Sequence, residues 1–563
     1  MPSPPTPPLV NRRNLIRLGT GTLLGAVAAP LLSACGSGAT TGKAGAKSEK
    51  LLPARTPLNT AVEPDLPGTA AGVPQGFYTY PDQPARSVKG KPLKGAKPVT
   101  FGTTTFLPPA PARSRNAAWR AIERRLGGRV EITAVPTDDH ATKFNTQVAS
   151  DNLPDLFTYP ETGGVKNIQG FLRAKCADLT PHLSGEAIKD YPNLAAIPRT
   201  AWQKTIYDGK LYGIPITRTG TGGLGYYRHD LFEEAGVSSL GEITDMDRLF
   251  ELFQEVTRPS KKQYAVVAGM TNTLAQLHGA PYYWKANAST GKFTFDLETD
   301  AYRAAVEMAR KLYEAGCYYP GTLGMTGAQK SQYTNLFKSG KGAYVYDGLP
   351  DYLTPTGYRH ATERTDKSFD VRPFRPVGKD AVVWADSVIL SRNFVKQASQ
   401  ERVKEILRLA DWAAAPFGTE EYTLINYGVE GADHRRDSKG NPVLTKRGIQ
   451  DIAVPFKFLA SAVPAVYDPE SRDGVRHLHA AYAEMIPKMV KDPTLSLTSP
   501  TWDADGLGSL HTLRQDGLKD IISGRKPASY YDELVKEILG KGAEKARGEF
   551  EDAYEQGKKG NKK

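Results

Sequence analysis

The sequence predicts an α/β protein of two lobes. Two observations carry this expectation. From Val99 onward, segments with the period-two pattern of strands alternate with segments of helical period, the order of βαβ units with parallel strands. The body that begins there, about 450 residues, is also too long for a single hydrophobic core.

Ahead of the body lies a leader. Residues 18–38 read LGTGTLLGAVAAPLLSACGSG and follow Arg12, Arg13 and Arg17. The apolar run is too short, and too interrupted by Gly and Pro, to cross a bilayer as a permanent helix. A basic start, an apolar middle and small residues at the end make residues 1–34 a secretory signal. Arg12-Arg13 before Asn14-Leu15-Ile16 resembles the twin-arginine export signal. Leu32-Ser33-Ala34-Cys35 resembles a bacterial lipobox, in which Cys35 is lipidated and becomes the first residue of the exported chain. The alternatives are an uncleaved anchor or a free thiol. The expected location is the outer face of the cytoplasmic membrane, held by acyl chains that contribute about 0.8 kcal/mol per buried CH2. The other cysteines are Cys176 and Cys317. Export permits a disulfide between them, but their distance is not legible in sequence, and two separate buried thiols are expected.

The chain carries a formal +12, which becomes +9 without the three leader arginines. Its basic residues are scattered, without the aromatic–basic interleaving of single-strand binders, so nucleic acid is not an expected partner. Residues 36–48 are Gly, Ala, Ser, Thr and Lys, and residues 51–98 hold nine prolines with little periodicity. Residues 35–98 therefore predict a lipidated, flexible tether, about 60 residues reaching on the order of 45 Å as a random coil.

The body opens with VTFGTTT, a strand. RNAAWRAIERRLG predicts a helix with Ala118, Trp119, Ile122 and Leu126 on one face and Gly127 at its end. RVEITAV alternates as a strand, DHATKFNTQVAS predicts a helix with Phe144 and Val148 inward, and PDLFTY is a third strand. No internal repeat is present.

Gly220 to Gly225, GTGGLG, matches a dinucleotide fingerprint in letters only. The glycines run into a strand and then a helix, the reverse of the required context. They fit a crossover between lobes, because glycine adopts unusual dihedrals cheaply. His477 and His479 are two apart and share no helical face, so they predict no metal pair. WDADG, residues 502–506, lacks the later ligands of a calcium loop and reads as a turn. H-E-x-x-H, G-x-S-x-G and Walker motifs are absent, although a glycosidase needs only two carboxylates. Tyr159, Trp284, Trp384, Tyr427 and Trp502 sit near Pro-, Gly- or Asn-bearing segments, where flat faces beside polar groups suit sugar rings. Trp412 follows Leu407 and Leu409 on a helix and is expected in the core.

Residues 207–237, YDGKLYGIPITRTGTGGLGYYRHDLFEEAGV, resemble the extracellular solute-binding proteins of ABC importers. NLPDLFTY, CADLTPHL, GKGAYVYDG, WADSVILSRN and the unit RVKEILRLADWAAAPFGTEEYTLINYGVEGADH follow in the family's order. The last resembles the subgroup of aldouronate- and alginate-oligosaccharide-binding lipoproteins. The likeness covers nearly all of residues 99–557. It implies a two-lobe type II periplasmic-binding fold with the ligand in the cleft between lobes and closure by hinge motion. Lobe 1 is expected from 99–218 and 386–435, lobe 2 from 219–385 and 436–557, and a basic tail from 558–563. Ser529 and Asp532 have capping-box spacing, and Tyr531, Leu534, Val535, Ile538 and Leu539 form an apolar stripe. Calcium-binding relatives carry an acidic loop where this chain has VTRPSKKQYAVVAG, residues 256–269. That stretch holds no acidic residue, so the calcium site is expected to be absent.

The resemblance implies an oligosaccharide ligand, ABC permease subunits as partners, a monomer anchored through lipid, and no cofactor or metal. The ligand-binding candidates follow the matching segments. Phe106 follows the first strand, and Tyr159 ends the third, where open α/β sheets place ligands. Arg218 at the crossover would pair with the carboxylate of an acidic sugar. Trp284 is the expected stacking surface. Asp347 ends the return strand, Trp384 and Asp386 open the next crossover, and Asn426, Tyr427 and Glu430 lie in the NYGVEG turn. Structural alternatives are edge packing for Tyr159 and a plain helix stop for NYGVEG. The expected activity is capture without chemistry. The rivals are an exported polysaccharide lyase or glycoside hydrolase, and a lipoprotein that binds a protein partner.

Overall fold

The computed structural model describes residues 50–57, 62–161, 163–325, 329–494, 497, 499–502 and 507–560. The leader, Cys35 and most of the WDADG turn lie outside the described residues.

The first lobe is built on a five-stranded sheet in the order Val130–Pro136, Val99–Thr105, Leu156–Thr158, Ile389–Val395, Gly213–Thr217. The first three strands are parallel, with Phe101 level with both Ile132 and Leu156. Ile389–Val395 runs antiparallel to both its neighbours. In Val99–Thr105 every second residue is buried, as the alternation predicts. Helix Ala117–Leu126 starts where the Asn116 side chain accepts the Trp119 N–H and stops at Gly127, whose φ of 71° closes it. Ala118, Ile122 and Leu126 face inward as expected. Phe144 on Thr137–Ala149 is buried too.

The second lobe holds a four-stranded sheet in the order Val371–Pro373, Tyr226–Arg228, Gly342–Val345, Tyr264–Val267. Only the last pair is parallel. Its core takes apolar faces from helices Met246–Glu255, Asp300–Glu314, Arg472–Met485 and Tyr530–Ile538. Tyr531, Leu534 and Ile538 supply the predicted stripe. The capping box does not form. The Ser529 side chain caps nothing, and Asp532 pairs with Arg303 instead. Cys176 and Cys317 are free thiols in different core clusters.

Three expectations about organisation need correction. The described part of the expected tether is packed structure. Leu52, Phe77, Tyr80 and Leu93 are buried. Gln75–Phe77 pairs in parallel with Ala465–Tyr467, Phe77 stacks on Phe417 at 4.2 Å, and the Tyr80 hydroxyl donates to the Thr419 carbonyl at 2.9 Å. The Ser87 and Val88 N–H groups donate to the Glu421 carboxylate at 3.0 and 3.1 Å. Single apolar anchors spaced by prolines hold this segment, which is why it shows no period. Second, the return to lobe 2 comes later than residue 436. Val454, Phe456, Leu459 and Ala460 belong to the lobe 1 core, because Asp451 accepts the Ala117 N–H at 2.9 Å and so seats the Lys446–Asp451 helix on lobe 1. Third, the start of the basic tail continues helix Glu544–Gly560, with Lys558 Nζ donating to the Ala288 carbonyl at 2.6 Å.

Candidate functional site

The carboxyl ends of the parallel strands converge on the passages between lobes. Val99–Thr105 ends at Phe106, Gly213–Thr217 at Arg218, and Gly342–Val345 at Tyr346 and Asp347. Open α/β sheets offer ligand sites at such ends, since backbone groups and loop side chains there face outward together.

The floor is a ribbon of crossing chains. Arg218 N–H donates to the Val388 carbonyl at 3.0 Å, Asp386 N–H to Gly220 at 2.8 Å, and Gly222 N–H to Trp384 at 3.2 Å. Val383–Trp384 also pairs in parallel with Met489–Val490. The GTGGLG stretch is thus part of a hydrogen-bonded crossover. At Gly225, φ is 90° and a Cβ would lie 2.1 Å from the Val345 carbonyl oxygen, so only glycine fits against the lobe 2 strand. On the ribbon, the Arg218 guanidinium pairs with the Asp386 carboxylate and donates through Nε to the Ser387 carbonyl at 3.1 Å.

Lobe 1 presents an aromatic pair just past its first strand. Phe106 is 57% exposed and meets Phe458 edge-on at 6.3 Å between ring centres. A buried polar chain holds the pair in place. Thr103 and Thr158 hydroxyls bond at 2.7 Å, the Thr158 hydroxyl donates to Asn393 Oδ1 at 2.8 Å, and Asn393 Nδ2 donates to the Phe458 and Leu459 carbonyls at 2.6 and 3.0 Å. Three strands of the sheet thereby fix the turn Phe456–Phe458. Lys457 in that turn is exposed. Protein nonetheless surrounds it at longer range. Burial pushes its ammonium pKa down, and Asp351 from lobe 2 works against that. Lys204 behaves alike. Burial and then the Arg392 charge lower its pKa, with Asp492 opposing. Neither ammonium makes an ion pair or hydrogen bond through its Nζ among the described residues. Arg392 is occupied by Glu161, by the Tyr207 hydroxyl and by the Lys204 carbonyl at 3.2 Å.

Lobe 2 faces them with tyrosines and acids. Tyr346 is half-buried. Its pKa is pushed up to about 12 by burial and then by Asp386 and Asp347, with Arg218 opposing. Asp347 accepts from Lys330 Nζ at 2.8 Å, from the Tyr358 hydroxyl at 2.7 Å and from Gly348 N–H at 2.8 Å. Tyr282 packs its ring 5.0 Å from Trp384, whose indole N–H donates to the Ala280 carbonyl at 2.8 Å.

The structure brings Arg218, Asp347 and Asp386 near Tyr346, with Trp384 on the same ribbon, and sets Phe106 against Phe458. It places the other sequence candidates elsewhere. Tyr159 is core, ringed by Phe144 and Phe394 at 5.4 and 5.7 Å, because its strand ends under the helix that carries Phe144. Trp284 is 1% exposed and enclosed by Phe295, Trp502 and Phe550. It packs inward because Trp284–Ala286 pairs with Phe293–Phe295 in a hairpin laid on the lobe 2 core. Tyr427 lies in an aromatic seam with Phe77, Tyr80, Phe417 and Tyr467. Asn426 Nδ2 turns back to the Tyr422 carbonyl at 3.0 Å, and Glu430 pairs with Arg436 at 3.2 Å, so the NYGVEG segment is a helix stop at Gly428. Sequence reasoning missed Lys204, Tyr282, Tyr346, Lys457 and Phe458. Tyr346 was findable, one residue before the chosen Asp347. The others sit in irregular segments without a signal.

With this geometry in view, known proteins are informative. The family described as "Bacterial extracellular solute-binding protein" matches residues 117–427. Polygalacturonan/rhamnogalacturonan-binding protein YtcQ of Bacillus subtilis (strain 168) is 24% identical over 469 residues, 79% of this chain and 89% of its own length. Lipoprotein LipO of the same organism is 24% identical over 371 residues, 60% of this chain and 68% of its own. The crystal structure of alginate-binding protein AlgQ2 without calcium ion superposes with a TM-score of 0.56 at 16% identity, covering 84% of this chain and all of that one. The fold is the two-lobe type II fold of that protein.

Proposed function

Because this chain belongs to the family of bacterial extracellular solute-binding proteins, we propose that it captures an acidic oligosaccharide between its lobes and hands it unaltered to the permease of an ABC importer. One observation carries the acidic assignment. The Lys457 ammonium lies 5.6 Å from the ring centre of Phe458, which meets the exposed Phe106, and neither it nor Lys204, next to Arg392, has an acid as ion-pair partner among the described residues. A carboxylate on the ligand gives each ammonium a charged hydrogen-bond partner, and such charge-assisted contacts are strong. Sugar C–H faces cover the phenylalanine rings and, on the other side, Tyr346 and Tyr282, while hydroxyls exchange water for the polar groups of the ribbon. Arg218, tied to Asp386, serves to brace the floor. The names of YtcQ and AlgQ2 agree with an acidic polymer fragment. Export by the twin-arginine leader and lipidation at Cys35 are part of the same reading, in keeping with LipO.

The test is calorimetric titration with oligogalacturonate and with a neutral oligosaccharide of equal length, followed by chromatography of the recovered sugar. The expected outcome is salt-sensitive binding of the acidic sugar, weakened at least tenfold by Lys204→Gln with Lys457→Gln, and no product. Equal affinity for both sugars would refute the acidic assignment, and shortened sugar would replace capture by catalysis.

A further inference from the structure

A second charged feature lies on lobe 1, lined by no residue of the crossover. Two adjoining depressions of about 540 and 590 Å³ share Asp190, Tyr191 and Arg408 as a common wall. Lys89, Lys91 and Lys94 line one and Lys404 the other. All four lysines are exposed, and no ion pair or side-chain hydrogen bond holds any of them among the described residues. The acids beside them are Asp190, the buried Asp411 and Glu401, which pairs with Arg408 at 3.4 Å. The four lysines therefore form a strip of positive charge that no ion pair neutralises among the described residues.

Its position is the second observation. Residues 50–54 run beside it. The Lys50 carbonyl accepts from the Ser184 hydroxyl at 3.4 Å, the Leu52 carbonyl from Gly185 N–H at 3.3 Å, and Ala54 N–H donates to the Gly185 carbonyl at 2.9 Å. The next turn, Glu186–Asp190, walls the groove. Fourteen residues lie between Cys35 and Lys50, and the fifteen steps from one to the other span at most about 50 Å. An acyl chain on Cys35 would keep this face of lobe 1 within that distance of a bilayer.

We infer that the groove lined by Lys89, Lys91, Lys94, Lys404 and Arg408 docks on the anionic phospholipid headgroups of the membrane that anchors the chain. The inference rests on the anchoring part of the proposed function and not on the identity of the sugar. Each lysine near an anionic surface strengthens attraction several-fold, and the effect fades beyond a Debye length, about 8 Å at physiological salt. Docking sets the orientation of the body, because the groove is on one lobe only.

The experiment uses the exported chain with Cys35→Ser, so that no acyl chain contributes, and vesicles of phosphatidylcholine with or without one-third phosphatidylglycerol. Co-sedimentation at low salt is expected with the phosphatidylglycerol vesicles alone, and to disappear as salt rises. The triple variant Lys89→Gln, Lys94→Gln, Lys404→Gln is expected to lose about a hundredfold in partitioning, with oligosaccharide affinity and unfolding midpoint unchanged. Asp190→Lys is expected to strengthen it. Equal binding to both vesicle types, or a triple variant that partitions like the parent, overturns the inference. So does a variant that ignores vesicles in either form yet slows import in cells, which would assign the groove to the permease. Titration of the sugar in the same samples reports separately on capture, and the mass of residue 35 in the wild-type chain reports separately on lipidation.

Discussion

Asp411 offers a sharp test of how the packed N-terminal segment is joined to lobe 1. It lies on helix Gln400–Ala413, 5% exposed, and its Oδ1 accepts the Asn193 and Leu194 N–H groups at 2.8 and 3.0 Å. Glu421, also buried, takes the Ser87 and Val88 N–H groups nearby. Burial pushes the Asp411 pKa up to about 7. The two N–H groups pull it down, and the Glu421 charge adds to the rise. Against an ordinary value of 3.8 this is about three units, or on the order of 4 kcal/mol. The sign follows from proton counts. Between pH 4 and 7 the folded chain holds a proton that the unfolded chain has released, so stability falls as pH rises through that window and the full cost applies above it. Asp411→Asn retains an oxygen for the two N–H groups and cannot ionise. In urea unfolding followed from pH 5 to pH 8, the advantage of the variant over the parent should widen by a few kcal/mol towards the alkaline end. Parallel pH profiles for the two proteins would refute the assignment of a buried, protonated Asp411.

Trp284→Ala should cost about 3–5 kcal/mol, measured by calorimetric unfolding, because the indole is enclosed by aromatic rings; a folded protein of parental stability would contradict its placement in the core. Phe106→Ala should leave the melting temperature unchanged, since the ring is mostly exposed, and lower sugar affinity about tenfold. Asn393→Leu strands the Phe458 and Leu459 carbonyls and the Thr158 hydroxyl, so stability should drop by roughly 1–3 kcal/mol and affinity should fall with it. A loss of stability without any loss of affinity would separate the Phe458 turn from the binding site.

What was legible in the sequence was whatever repeats. The strand Val99–Thr105 and the helix ending at Gly127 appear where periodicity and capping place them. The crossover glycines appear there too, because a positive φ and a close approach leave only one residue type. Segments held by isolated anchors were not legible. Phe77, Tyr80 and Leu93 bury themselves 13 to 16 residues apart or in pairs between prolines, a spacing with no period. Position at a strand end leaves Phe106 exposed and sets Asp347 beside Lys330. Where a helix lies over the end, the same position is core, as with Tyr159. Chemical type alone misled at Trp284, since a loop-borne tryptophan packs inward as readily as outward, and only the register of its hairpin with Phe293–Phe295 decides which.

The two unpaired lysines bear on how a ligand shuts such a molecule. A ligand stabilises a closed form only through contacts that differ between forms. Lys457 and Lys204 belong to lobe 1, while the acids that oppose the lowering of their pKa values, Asp351 and Asp492, come from the far side of the crossover. Drawing the lobes together without a guest sets these charges against one another across a partly desolvated space, where attraction and desolvation nearly cancel. An anionic sugar alters that balance by giving each ammonium a hydrogen-bonding partner of its own. The ribbon meanwhile ties Arg218, Gly220 and Gly222 to Val388, Asp386 and Trp384, so those two crossings move as one strip. The aromatic seam of Phe77, Tyr80, Phe417, Tyr427 and Tyr467 joins the lobes at another passage of the chain. Rotation about the strip therefore has to slide or strain the seam, and the N-terminal segment becomes part of the hinge.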